Sequence, residues 1–174
     1  MNEIDMDKFK DILNSREERA NKQFELLKKY PNTLISFTLN IPGIIKNSKL
    51  YTHIHENGMN TLVSTLKYKN INIFNIETCN KKTGSEGFIS VDSNPVAIKE
   101  LTVDIEDNHP LGRVFDIDVF DKNHNQISRS NLNLDSRKCL ICSKDAQVCM
   151  REKNHTYEEL INKIEVLAKD YLNL

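Results

Sequence analysis

His109-Pro110-Leu111-Gly112-Arg113-Val114-Phe115-Asp116-Ile117-Asp118-Val119 sets two carboxylates two residues apart inside an apolar segment. The apolar residues at 114, 115, 117, 119 and 120 predict a buried strand over 113–120. Residues i and i+2 of a strand share a face, so Asp116 and Asp118 stand side by side, about 6 to 7 Å apart along the backbone. Two ionised carboxylates repel and are costly to desolvate, and a hard divalent cation, Mg²⁺ above all, removes that cost. Arg113 adds a fork of donors suited to phosphate. Such a strand can also turn its aspartates to water, with the apolar residues on the core side. With Val114 counted on the aspartate face, the expected place for the pair is a sheet edge or cleft.

Upstream, residues 6–29 carry Phe9, Ile12, Leu13, Ala20, Phe24 and Leu27 at helical spacing. Ser15-Arg16-Glu17-Glu18 has the form of a capping box and predicts a helix restart at Ser15. The Arg16/Arg19/Lys22 face reads as solvated, or as the receiver of an acidic partner. Tyr30-Pro31 ends the helix, Thr33–Leu39 reads as a strand, and Asn40-Ile41-Pro42-Gly43 turns the chain. A second helix runs from a Ser48 cap to about Lys69, weakened by Gly58 and carrying His53 and His55 as surface residues. Strands over 71–78 and 87–92 flank a turn at Lys81-Lys82-Thr83-Gly84, and Ser93-Asn94-Pro95 starts a third helix. Beyond the aspartates come a short hairpin return at 126–130, a cysteine-bearing segment at 139–149, and a last helix over 156–171 opened by Thr156-Tyr157-Glu158-Glu159. The sum is an α+β fold, a mainly antiparallel sheet with packed helices, forming one domain over 1–174.

The 174 residues carry a net charge of -1, which excludes a broad basic face for nucleic acid. No apolar run is long enough to span a membrane, and the acidic Met1-Asn2-Glu3-Ile4-Asp5 start is unlike a signal peptide. The expected compartment is therefore the cytoplasm, where the four cysteines stay reduced or bind metal.

Two further motifs carry chemistry. Ser36 to Lys46 lays out a strand, a turn containing Asn40 and Gly43, and a lysine. That layout can cradle phosphates, although it is not a P-loop, and its spacing alone reads as an ordinary strand-to-helix turn. Cys139, Cys142, Cys149 and His155 give C-x2-C-x6-C-x5-H, a ligand set suited to structural Zn²⁺; read blandly, these are small buried thiols. Cys79 stands apart and is expected in the core.

Ser15-Arg16-Glu17-Glu18-Arg19, Ser36–Gly43, His109–Val119 and Arg137-Lys138-Cys139-Leu140-Ile141-Cys142 occur in this order, extended by Ser128-Arg129 and Cys149-Met150-Arg151. Together they closely resemble the apo-citrate lyase phosphoribosyl-dephospho-CoA transferase family over nearly the whole chain. The resemblance implies a nucleotidyltransferase that moves the prosthetic group of triphosphoribosyl-dephospho-CoA to a serine of the citrate lyase acyl carrier subunit and releases pyrophosphate. It implies Mg²⁺ on Asp116 and Asp118, and Arg113, Lys46, Asn40, Gly43, Arg16 and Arg129 about the triphosphate. Glu106 or His109 takes the serine proton or completes the metal shell. A distant likeness to polymerase-type nucleotidyltransferases is implied as well. Those enzymes place a Gly-Ser pair well ahead of the acidic pair, whereas Gly112-Arg113 stands immediately before Asp116, which gives Arg113 a task of its own. The competing class is a non-catalytic, zinc-stabilised module that binds a carrier protein.

Overall fold

The computed structural model describes residues 3–172. Its elements are α1 (Glu3–Lys29), β1 (Thr33–Leu39), α2 (Lys49–Tyr68), β2 (Asn72–Lys81), β3 (Gly84–Asp92), α3 (Pro95–Asn108), β4 (Phe115–Phe120), β5 (Gln126–Ile127), α4 (Ala146–Arg151) and α5 (Tyr157–Leu172). The strands form one antiparallel sheet in the order β2-β3-β1-β4-β5. This is the expected α+β arrangement.

Strand alternation splits the sheet into two faces. Ile35, Phe37, Ile89, Val91, Phe115, Ile117 and Val119 point to one face, where Ile54, Leu62 and Leu66 of α2, Ile98 and Ile105 of α3 and Ile164 of α5 complete the main core. Leu34, Phe88 and Phe120 point to the other face and pack under Leu26 and Leu27 of α1. Ser48 caps α2 by accepting from the Tyr51 N–H, and Asn94 caps α3 by accepting from the N–H groups of Val96 and Ala97. Thr156 and Glu159 exchange the two bonds of a capping box at the start of α5.

Four expectations fail, each for a physical reason. α1 runs unbroken through Ser15, whose hydroxyl is buried between the Glu86 carboxylate at 3.4 Å and the Thr83 hydroxyl at 2.8 Å. A partnered serine sits in a helix interior at little cost, so the capping box is not used. His55 is buried, stacked on the Phe37 ring with centroids 4.7 Å apart, because α2 lays its narrow Gly58 face on the sheet beside it. Cys79 is exposed on β2, the edge strand. Val114 belongs to a 3-10 turn and to the main core, and does not share the aspartate face.

Candidate active site

β1 lies between β3 and β4, and its polar residues set one end of the α1 face. Ser36 pairs with Asp118 and Thr38 with Asp116. On the far side of β1, Glu86 follows directly from the Phe37–Gly87 pair. Apolar side chains at Leu34, Phe88 and Phe120 pull the C-terminal half of α1 onto the sheet. At the Thr38 and Asp116 end the facing side chains are mostly polar, and a cleft of about 120 Å³ lies between α1 and the sheet.

Arg16 and Arg19 of α1, Asn40 and Lys46 of the turn after β1, Glu86 of β3 and Asp116 of β4 all line this cleft. The turn is closed by the Asn40 N–H donating to the Val114 carbonyl at 2.8 Å and by the Lys46 ammonium donating to the Ile41 carbonyl. Gly43 is in the left-handed region at φ 77°, which a side chain resists, and so lets the chain double back to Lys46 without itself lining the cleft. Burial and then the neighbouring Arg16 hold Lys46 below the ordinary lysine pKa. Glu86 is buried and answers Arg19 at 3.3 Å and Lys81 at 3.0 Å. Lys22 pairs with Glu77 at 2.7 Å, so the basic face of α1 does receive acidic partners, from this chain's own sheet.

Asp116 and Asp118 share the α1 face. The Asp116 side chain is 46% exposed; its Oδ1 lies 3.3 Å from the Arg137 guanidinium and its Oδ2 3.5 Å from the Thr38 hydroxyl. Asp118 accepts the Gln126 amide at 2.6 Å. Burial, and then the charge of Asp116, pushes the Asp118 carboxyl up to about 6. Among the described residues, no third His, Cys, Asp or Glu groups with this pair. An ion held there keeps positions for water and phosphate oxygens, which suits Mg²⁺.

The remaining expected residues lie elsewhere. Glu106 stands at the open edge of β4, nearly inaccessible, accepting the Ile117 N–H at 3.1 Å and the Arg129 guanidinium at 2.9 Å. Arg129 also pairs with Asp107 at 2.8 Å and does not line the cleft. His109 caps α3 on the core side. Its Nδ1 accepts from the Leu111 N–H, its Nε2 lies 3.4 Å from the Thr61 hydroxyl, and burial lowers its pKa. Its ring meets Phe115 and Tyr171, on the sheet face opposite the aspartates. Arg113 is half-buried, with Arg137, Asp107, Arg129 and Cys139 as its electrostatic neighbours.

Arg137, Arg19, Thr38 and Glu86 were not singled out as site residues by the sequence. The helical spacing puts Arg19 on one face with Arg16 and Lys22, but nothing in that spacing turns the face toward a cleft. Arg137 carries no comparable local signal.

The cysteine-bearing segment brings Cys139, Cys142, Cys149 and His155 together, their ligand atoms all within 4.8 Å of one another. This group can hold a metal ion such as zinc. No helix among the described residues is long and apolar enough to cross a membrane.

Residues 7–171 match the sequence model of a family described as apo-citrate lyase phosphoribosyl-dephospho-CoA transferase. A protein of that name from Escherichia coli O7:K1 is 36% identical over 160 residues, covering 92% of this chain and 87% of its own length. One from Shigella boydii serotype 18 is 35% identical over the same shares. The chain belongs to the apo-citrate lyase phosphoribosyl-dephospho-CoA transferase family, and it is an enzyme, a transferase.

Proposed function

We propose that the chain, acting as one domain in the cytoplasm, transfers the phosphoribosyl-dephospho-CoA group of triphosphoribosyl-dephospho-CoA to a serine of the citrate lyase acyl carrier subunit. The serine oxygen forms a bond to the phosphorus next to the ribose. The bond from that phosphorus to the bridging oxygen breaks, pyrophosphate leaves, and the hydroxyl proton is lost. The observation that carries this reading is the convergence of Asp116 with Arg16, Arg19 and Lys46 in one cleft.

Asp116 and Asp118 would hold Mg²⁺, which supplies neutralisation of the phosphate charge. The fit rests on two carboxylates on one face of β4, where burial and Asp116 raise the half-buried Asp118: such a pair gains most from a cation. Lys46 and Arg16 grip the triphosphate oxygens, and an anion there answers two neighbouring positive charges, one of which burial holds below the ordinary lysine value. Arg19 is shared with Glu86, which keeps the guanidinium at the cleft wall. Asn40 lines the same cleft. The Cys139/Cys142/Cys149/His155 group takes a structural Zn²⁺.

The test is direct. Incubation with apo carrier subunit, the triphosphoribosyl precursor and Mg²⁺ should add the mass of one phosphoribosyl-dephospho-CoA group to the carrier by intact mass spectrometry. A carrier of unchanged mass would overturn the proposal.

A further inference from the structure

We infer that the zinc-loaded Cys139/Cys142/Cys149/His155 group is a clamp that holds Arg137 against Asp116, which makes Arg137 a positioning residue of the transfer site. The inference rests on the assignment of Asp116 to the metal ion of that site.

The three sulfurs lie close enough together to share one ion. Cys149 Sγ lies 3.4 Å from Cys139 Sγ and 3.9 Å from Cys142 Sγ. Tetrahedral zinc, with Zn–S near 2.3 Å, sets its sulfurs about 3.8 Å apart. A second, independent observation points the same way. His155 Nε2 is buried and has no hydrogen-bond partner among the described residues, although an imidazole nitrogen withdrawn from water needs one. It lacks a partner where three thiols converge.

The segment has little else to hold its shape. Leu140 reaches the main core and Cys149 is buried, but Ile141, Val148 and Met150 are exposed, and α4 is only six residues long. A segment with so few apolar contacts takes its order from a cross-link or an ion. Three thiolates with Zn²⁺ leave one net negative charge, and Arg113 has Cys139 among its electrostatic neighbours.

Arg137 is built into this knuckle. Its carbonyl accepts the Ala146 N–H at 2.8 Å, and two residues on, the Cys139 N–H donates to the Lys144 carbonyl at 2.8 Å. The Lys138–Asp145 bridge lies between these bonds. Fixing Cys139 therefore fixes the Arg137 backbone. From there the guanidinium leaves the knuckle and reaches α3 and β4: the Phe115 carbonyl, Asp116 Oδ1 at 3.3 Å and Glu106 Oε1 at 3.8 Å. The side chain straps the metal-binding segment to the strand that carries both aspartates.

Coupling of this kind is reciprocal, so the experiment reads both ends. Elemental analysis of the full chain, purified without chelator, should give about one zinc per chain. Competition with a chromogenic chelator should show Arg137→Ala weakening zinc by about three- to tenfold, with Arg137→Lys recovering part of the loss. His155→Ala should weaken zinc by about tenfold or more, and should lower kcat about as much as Arg137→Ala does, with the KM for the carrier unchanged. The double variant should be no slower than either single one, as expected when the two act through one contact. If His155→Ala fails to fold, stripping zinc from the wild-type chain with the chelator supplies the same kcat comparison. A zinc-free chain of full activity, unchanged zinc affinity in Arg137→Ala, or additive losses of kcat would each overturn the clamp. If the wild-type chain transfers nothing while Arg137→Ala still weakens zinc, the proposed function fails and the clamp stands.

Discussion

Glu106 Oε1 accepts the N–H of Ile117, the residue between the two aspartates, at 3.1 Å. The Ile117 carbonyl takes the Lys99 ammonium at 2.8 Å. Among the described residues, β5 pairs with β4 at Val119 and Phe120 alone, and no strand lies beside the outer edge of β4 at Ile117. α3 supplies a charged donor and a charged acceptor in its place, and Arg137 adds a third bond at the Phe115 carbonyl. An open sheet edge is thereby closed by side chains, and the backbone that carries Asp116 and Asp118 is held at both polar groups of the residue between them.

Glu106→Gln keeps an acceptor for Ile117 but removes the charge that answers Arg129 and Arg137. Breaking a buried pair from one side leaves the other charge uncompensated, and the expected loss is about 2 to 4 kcal/mol. Urea unfolding should show the midpoint fall with an unchanged slope, and transfer should slow because Arg137, no longer paired with a charged Glu106, holds Asp116 less firmly. A variant as stable as wild type would mean that the Glu106 charge does not compensate Arg129 and Arg137.

The raised Asp118 carboxyl makes stability depend on pH in a definite direction. Its folded value, about 6, lies above the ordinary 3.8. Between these values the native state holds more protons than the unfolded chain, so stability falls as pH rises through this window and stays lower above it. Asp118→Asn should therefore raise Tm at pH 8, by an amount corresponding to about 1 to 3 kcal/mol, and this advantage should vanish by pH 4. Mg²⁺ should stabilise the wild type at pH 8 and leave the variant unmoved, and transfer should be lost in the variant. Equal Tm values at pH 8 without Mg²⁺ would contradict the repulsion argued here.

Local patterns carried much of the fold. Thr33–Leu39 forms a strand with the expected bounds, and Ser48, Asn94 and Thr156 cap the helices they were expected to cap, because each depends on neighbours within a few residues. The alternation of Phe115, Asp116, Ile117 and Asp118 gave the face of the carboxylates correctly. What failed was decided at long range. Ser15 looks like a cap until Glu86 and Thr83 arrive from β3 and its turn, and His55 looks exposed until Phe37 stacks on it. Lys46 and Arg16 were legible as charges but not as neighbours, since only the sheet register brings the turn after β1 under α1. Arg137 lies 21 residues beyond Asp116, and nothing in its own segment points to that contact.

Gly58 looked like a weak point of α2, where alanine should gain about 1 kcal/mol of helix propensity. The structure reverses the sign. A Cβ at 58 would lie 2.5 Å from the Phe37 ring and 3.1 Å from that of Phe115. Both rings are fully buried, edge to face, and cannot retreat. Gly58→Ala should cost about 1 to 3 kcal/mol net, read as a lower Tm. A gain in Tm would show that α2 can slide on the sheet.

The cleft cations supply the last prediction. Lys46 is held below the usual lysine value first by burial and then by Arg16, so at alkaline pH it loses its proton earlier than a surface lysine. An anion bound between Lys46 and Arg16 removes the repulsion and draws the proton back, which couples affinity for the triphosphate to pH. The KM for the triphosphoribosyl substrate should rise as pH climbs toward the ordinary lysine range, while the KM for the carrier stays level. Lys46→Ala should raise that KM by about ten- to a hundredfold, the worth of one or two charge-assisted bonds, and should flatten its alkaline rise. Lys46→Arg should restore charge without the pH dependence, because a guanidinium does not titrate there. Arg16→Ala should weaken the substrate while moving the alkaline rise upward, since Lys46 then titrates nearer its usual value. An unchanged alkaline profile in both variants would remove Lys46 from the triphosphate site.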